Sequence, residues 1–279
     1  MNKMSRNTLM YSMKKQFRLL CFAILLLWML PATAAEDLLK VYYVRHAEGG
    51  HNVTSLWQNT PKEQRPSYVG NSNMFTPKGE KQVEELTEKL KGMKFDFIAV
   101  SPIWRTRNTI IPYLKASGKK GEIWPELAET GNVPAEWTIA GKFPQPDAKL
   151  FENGKAIKLP ETEQPFFTLR NDCNYLLNTN GENSEQSIAN ALAMAQKTVD
   201  MIKTRFSKSG KTLLLVGHGN SGSTLLRVLT AAKEINSGLK NTGIWMAEEQ
   251  PDGSFKLKIL NDKPYSEQKK HGKPDAASK

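Results

Sequence analysis

Cysteine is almost missing from this chain of 279 residues: Cys21 and Cys173 are all there is. Cys21 lies in an N-terminal segment expected to be removed, so the mature domain has one thiol and no intramolecular disulfide. A secreted domain of this size can be stable without one. The four histidines, His46, His51, His218 and His271, form no cluster with the spacing of a structural zinc site, so no metal or other cofactor is expected. Internal repeats are absent. Acidic residues are absent before Glu36, whereas Lys14, Lys15 and Arg18 precede the apolar run Leu19–Leu30. That run is shorter than the roughly 20 residues of a membrane-spanning helix. It ends in Pro31-Ala32-Thr33-Ala34-Ala35, small residues suited to a signal peptidase. This order predicts a signal peptide over 1–34, cleaved after Ala34 or Ala35, and a secreted or periplasmic protein with no stable membrane anchor. Retention as an uncleaved anchor is the alternative. A start at Met13 would give a leader of ordinary length, and Cys21 stands at the front of the apolar run, which argues against a lipoprotein.

The formal net charge is +11, part of it in the leader. The remaining excess suits anionic ligands. No basic stripe interleaved with aromatics is present, so nucleic acid is not an expected partner. Residues 35–262 suit one domain with a sizeable core. The basic tail 263–279 is predicted to be disordered.

Leu39–Val44 reads as a buried strand, apolar on both faces apart from Lys40. Residues 49–75 are a polar loop with room for one short helix. Thr76 caps a helix that opens with Pro77 and runs to about Met93, with Val83, Leu86 and Leu90 on its apolar face. Strand Phe97–Val100, helix 103–115 stopped by Gly118, and a short strand at Glu122–Trp124 follow. Residues 131–181 are richer in proline and carry Trp137, Phe143, Phe151, Phe166 and Phe167. They predict an insertion, with short helices at most, folded over the end of the sheet. Helix 184–206, strand 212–216, helix 221–232 and an antiparallel pair, Ile244–Met246 and Phe255–Leu260 joined at Asp252-Gly253, complete the pattern. The fold class is α/β, a three-layer sandwich around a mostly parallel mixed sheet.

Five short motifs punctuate these elements near strand ends, where ligands bind in open α/β sheets. They are Arg45-His46-Ala47 with Asn52, Phe75-Thr76-Pro77-Lys78-Gly79, Ser101-Pro102 with Arg105 and Thr109, Leu127-Ala128-Glu129, and Gly217-His218-Gly219. In this order they resemble the histidine phosphatase superfamily (branch 1, phosphoglycerate-mutase-like) over roughly residues 39–220. The resemblance implies that His46 is a nucleophile forming a phosphohistidine. Near neutral pH an unperturbed imidazole, with a pKa of ~6.5, supplies the neutral form this needs. It further implies that Arg45 and Arg105 clamp the phosphoryl oxygens with planar forks, and that His218 donates to another oxygen. Glu129 would be the general acid, with Glu126 as competitor and Glu48 a distant third. Asn52 would bond the substrate or brace the loop. Arg107, two positions along the helix, should point elsewhere. His51 could line the pocket or sit exposed, and His271 has no assigned role.

The activity implied is that of a metal-independent phosphomonoesterase acting on a small phosphorylated substrate. Departures from the family pattern, such as Gly131-Asn132-Val133-Pro134-Ala135-Glu136-Trp137 after the Leu-x-Glu element, argue against a phosphoglycerate mutase. The alternatives are a mutase-type phosphotransferase, a phosphatase of an envelope component such as a lipopolysaccharide or sugar phosphate, and a non-catalytic phosphate-binding protein.

Overall fold

The structure, a computed structural model, describes residues 38–138, 145–152, 154–176, 179–232, 235 and 238–266. The leader expected over 1–34, His271 and most of the basic tail lie outside the described residues.

Eight strands form one sheet: β1 (Lys40–Arg45), β2 (Phe97–Val100), β3 (Gly121–Ile123), β4 (Phe167–Leu169), β5 (Thr212–Gly217), β6 (Ile244–Glu249), β7 (Phe255–Leu260) and β8 (Lys263–Pro264). Their order is β4-β3-β2-β5-β1-β6-β7-β8. Pairings from β4 across to β1 are parallel, and those from β1 to β8 are antiparallel. Helices α1 (Pro77–Lys91), α2 (Trp104–Ser117), α3 (Ser184–Phe206) and α4 (Gly219–Thr230) fill the two outer layers.

The apolar runs explain this layering. Side chains alternate across a strand, so a strand apolar at every position must be covered on both faces. Val41, Tyr43, Leu213 and Leu215 pack with Val199 and Ile202 of α3 and Leu225 and Leu226 of α4. Their neighbours Val44, Leu214 and Val216 pack on the other face with Leu86 and Leu90 of α1 and Ile110 and Leu114 of α2. The helix boundaries follow local chemistry. Thr76 Oγ1 accepts the Gly79 amide at 3.0 Å, and Asn183 Oδ1 accepts the Gln186 amide at 2.8 Å. Gly118 closes α2 at φ 67°, a left-handed conformation that glycine adopts without strain.

Three expectations need correction. α4 begins at Gly219 rather than Ser221, because His218 itself takes the extended N-cap conformation. The insertion holds more than short helices: Phe167–Leu169 forms β4 and extends the parallel sheet beside β3. The tail is ordered at its start. Asn261 and Asp262, at φ 48° and 66°, reverse the chain so that Lys263 and Pro264 pair with Leu260 and Ile259.

Side-chain contacts fasten the insertion. Arg107 of α2 forms a buried ion pair with Glu163, and Arg170 forms one with Glu126. The Cys173 thiol donates to the Ile123 carbonyl at 3.3 Å. Of its aromatics, Phe167 is buried in the core beside Ile157, Trp137 packs near Val133 and Leu192, and Phe151 lies under Lys197; Phe143 is outside the described residues. No helix among the described residues is long and apolar enough to cross a membrane.

Candidate active site

Arg45 ends β1 and His46 follows it, Ser101 follows β2, and His218 follows β5. These strands are parallel neighbours in register, with Val44 and Val100 both opposite Val216, so the residues after them emerge together at one edge. The His46 amide continues the ladder by donating to the Gly217 carbonyl at 3.0 Å. As N-cap of α4, His218 also brings the free amides and positive dipole end of that helix to the same place.

His46 is 1% exposed. Its Nδ1 lies 2.7 Å from the Ala47 carbonyl oxygen, which can accept but not donate. Nδ1 therefore carries the proton and Nε2 presents a lone pair. Arg105 Nε donates to that Nε2 at 3.2 Å. Burial holds the ring well below the usual imidazole pKa against the pull of the Ala47 carbonyl; Arg105, Arg45 and His51 push in the same direction as burial. The imidazole is neutral.

Glu129 faces this ring with its side chain 30% exposed: Oε2 is 3.7 Å from Arg105 Nη2 and 3.5 Å from His218 Nδ1. Burial, reinforced by Arg105 and His46, keeps His218 neutral, so its contact with Glu129 is not an ion pair. His218 Nε2 is bonded to Ser101 Oγ at 2.9 Å. Burial raises the Glu129 carboxyl above its ordinary range; Arg105, Arg45 and the amides of Ser221 and Asn220 only partly offset this.

Arg45 Nη1 donates to the Leu239 carbonyl at 2.8 Å. Arg45 Nε, His51 Nδ1, His218 Nδ1 and Glu129 Oε1 are all buried without a hydrogen-bond partner. Such atoms are rare in a folded interior and point to a ligand. His51 therefore belongs to the site: its ring centre is 5.5 Å from that of His46, and burial, with Arg105 and Arg45, lowers its pKa to about 4. Ligand atoms of His46, Glu129 and His218 lie within 4.8 Å of one another, the one such grouping among the described residues. A cation could be held there by geometry, but two guanidinium groups beside it suit an anion better.

The other candidates separate clearly. Glu126 turns away, with Oε1 accepting from Arg170 at 2.9 Å, Oε2 at 3.1 Å, and Lys197 at 3.4 Å. Glu48 accepts from Thr76 at 2.8 Å and Lys78 at 2.7 Å; burial would raise its pKa, but these bonds hold it below the ordinary value. Arg107 is committed to Glu163. Asn52 Oδ1 accepts from the Gly49 amide at 3.0 Å and from Asn241 Nδ2 at 3.4 Å, so any contact with substrate must come from its amide nitrogen.

Two residues, Tyr43 and Asn241, escaped sequence reasoning, and the motif residue Thr109 had no role assigned. Tyr43, stacked on Trp245 at 5.1 Å, accepts from the His218 amide at 2.6 Å and donates to its carbonyl at 2.9 Å. Gly217 is required beneath it, because a Cβ there would lie 2.1 Å from the Tyr43 hydroxyl. Asn241 donates to the His46 carbonyl at 3.0 Å, and Thr109 Oγ1 accepts the Ala47 amide at 2.9 Å. A polar tip on Tyr43 in an otherwise apolar strand was the one signal available; for Asn241 there was none.

The pattern of the histidine phosphatase superfamily (branch 1) matches residues 41–263. No curated protein matches the chain. Among solved structures, a phosphoserine phosphatase from Entamoeba histolytica in complex with 3-phosphoglyceric acid is similar at 20% identity and TM-score 0.47, covering 81% of this chain and 98% of its own. A mycobacterial glucosyl-3-phosphoglycerate phosphatase complexed with VO3 is similar at 13% identity and TM-score 0.48, covering 80% and 99%. The chain belongs to branch 1 of the histidine phosphatase superfamily.

Proposed function

We propose that the protein hydrolyses phosphomonoesters in two steps through a phosphohistidine on His46, without a metal. The reading rests above all on the buried, partnerless atoms of Arg45, His51, His218 and Glu129 around the neutral His46 ring. A phosphate monoester would satisfy the three donors among them and set its phosphorus before the Nε2 lone pair.

In the first step the Nε2 pair forms the N–P bond as the P–O bond to the alcohol breaks. The leaving oxygen takes the proton of the Glu129 carboxyl, which its raised pKa keeps available. Arg45 and Arg105 hold the equatorial oxygens and stabilise their growing charge. With the Ser101 hydroxyl donating to His218 Nε2, the His218 Nδ1–H points at a phosphoryl oxygen. In the second step the Glu129 carboxylate takes a proton from water, whose oxygen attacks phosphorus, and orthophosphate leaves with His46 restored.

Export is part of the proposal and rests on the leader sequence 1–34. N-terminal sequencing of protein recovered from the extracytoplasmic fraction checks it: a new terminus at Ala35 or Glu36 is expected. For the chemistry, the protein is incubated with phenyl phosphate in EDTA beside His46→Ala, and phosphoenzyme is trapped in alkali. Turnover and alkali-stable label in the wild type alone are expected. Equal turnover by the variant would remove His46 from its role.

A further inference from the structure

A cavity of about 510 Å³ opens on the outer side of Glu129. Its walls join the loops after β2 and β3, with Ile103, Pro125 and Ala128, to the end of the insertion, with Tyr175 and Leu176. The neutral polar groups of Thr130, Thr179 and Asn180 complete it. The volume is that of a small-molecule site. Because Glu129 belongs both to this cavity and to the phosphate pocket, whatever oxygen it protonates carries its carbon skeleton into the cavity.

The charge of this space is one-sided. Glu129 is the only Asp, Glu, Lys, Arg or His among its described lining residues. Two cations of adjoining elements are already paired, Arg107 with Glu163 and Arg170 with Glu126 and Asp172. Arg45 and Arg105 stand on the phosphate side. A second anion on the alcohol would therefore be desolvated in a space whose described lining supplies no cation to pair it, an arrangement that disfavours the ligand.

We propose that this cavity is the leaving-group subsite and that it selects phosphomonoesters of uncharged alcohols over those whose alcohol carries a carboxylate or second phosphate. The apolar wall and the exposed face of Tyr175 favour an alcohol with a ring or methine face, and Thr130, Thr179 and Asn180 offer hydrogen bonds to neutral hydroxyls. The inference rests on the phosphatase reading above and deepens it.

Glycerol 3-phosphate and 3-phosphoglycerate differ at one carbon, a neutral CH2OH against a carboxylate, and make the matched test. The expected kcat/KM ratio favours glycerol 3-phosphate by at least about tenfold. Thr179→Lys should narrow that ratio by at least about fivefold, by raising kcat/KM for 3-phosphoglycerate. Tyr175→Ala should raise KM for glucose 6-phosphate more than for glycerol 3-phosphate. A wild-type ratio near one or reversed overturns the inference while leaving the phosphatase reading intact, and so does a ratio that Thr179→Lys does not move. Phenyl phosphate is the control: if it too is not hydrolysed, the phosphatase reading falls and the inference with it.

Discussion

At the strand ends, His46, Ser101 and His218 are placed by backbone: three parallel strands in register, the ladder bond from His46 to Gly217, and the cap of α4. Among the described residues of 131–181 the chain is held largely by side chains instead, through Arg107–Glu163 and Arg170–Glu126, with only the three residues of β4 joining the ladder. The first region presents the same groups to any phosphate. The second region, by its contacts, decides what stands beyond Glu129. A backbone-built platform keeps its geometry because ladder bonds join main-chain groups that every residue but proline carries. A side-chain-tethered insertion can be re-cut one contact at a time, which suits the part that selects.

The sharpest way to break this contrast is to remove a platform group. His46→Ala should lower kcat for aryl and alkyl phosphates alike by more than about 10³-fold, measured as phosphate release. An effect on only one ester class would mean the platform is not common to all substrates. Glu129→Gln comes next. It should slow the transfer of phosphate from alkyl esters to His46 by about 10²- to 10⁴-fold but that from phenyl phosphate far less, because phenolate leaves without a proton, read as the alcohol released in a single turnover. The same carboxyl sets the pH profile: its raised pKa keeps the acid form present above the ordinary carboxyl range. Alkyl-ester kcat should fall as pH rises through that pKa, and Glu129→Gln should remove the fall.

Arg170→Met tests the tether. It leaves the Glu126 carboxylate buried with only Lys197 beside it, and should cost about 3–5 kcal/mol of stability in urea unfolding. Because Glu126 does not face His46, kcat for phenyl phosphate should stay near the wild-type value; a large loss would place Glu126 in the chemistry. The smallest effect is expected from Asn241→Ala. Losing its bond to the His46 carbonyl should raise the barrier by about 1 kcal/mol for every ester tested, read from kcat.

Most of the platform was legible in sequence for one reason: parallel strands covered on both faces are unbroken apolar runs, and their ends are marked by Gly217-His218, Ser101-Pro102 and Arg45-His46. The helix capped by Thr76 and the long one from Ser184 were equally plain. What stayed hidden depends on distance. Tyr43 sits within the first run, but its role arises from His218, 175 positions away. β4 has three residues and exists through pairing with β3. β8 needs the left-handed turn at Asn261-Asp262, residues that tolerate positive φ but do not demand it. Glu129 was ranked above Glu126 by the motif alone; the physical reason, Arg170 on Glu126, lies 44 positions away.

The 2.7 Å contact between His46 Nδ1 and the Ala47 carbonyl has a consequence for the isotope spectroscopist. With that nitrogen committed, phosphorus can bond to the ring only at Nε2, the nitrogen remote from Cβ. The phosphoenzyme is then a single regioisomer rather than a mixture. ¹⁵N–³¹P coupling on histidine-labelled protein should assign one phosphoramidate, to the nitrogen that is not a neighbour of the ring carbon bearing the side chain.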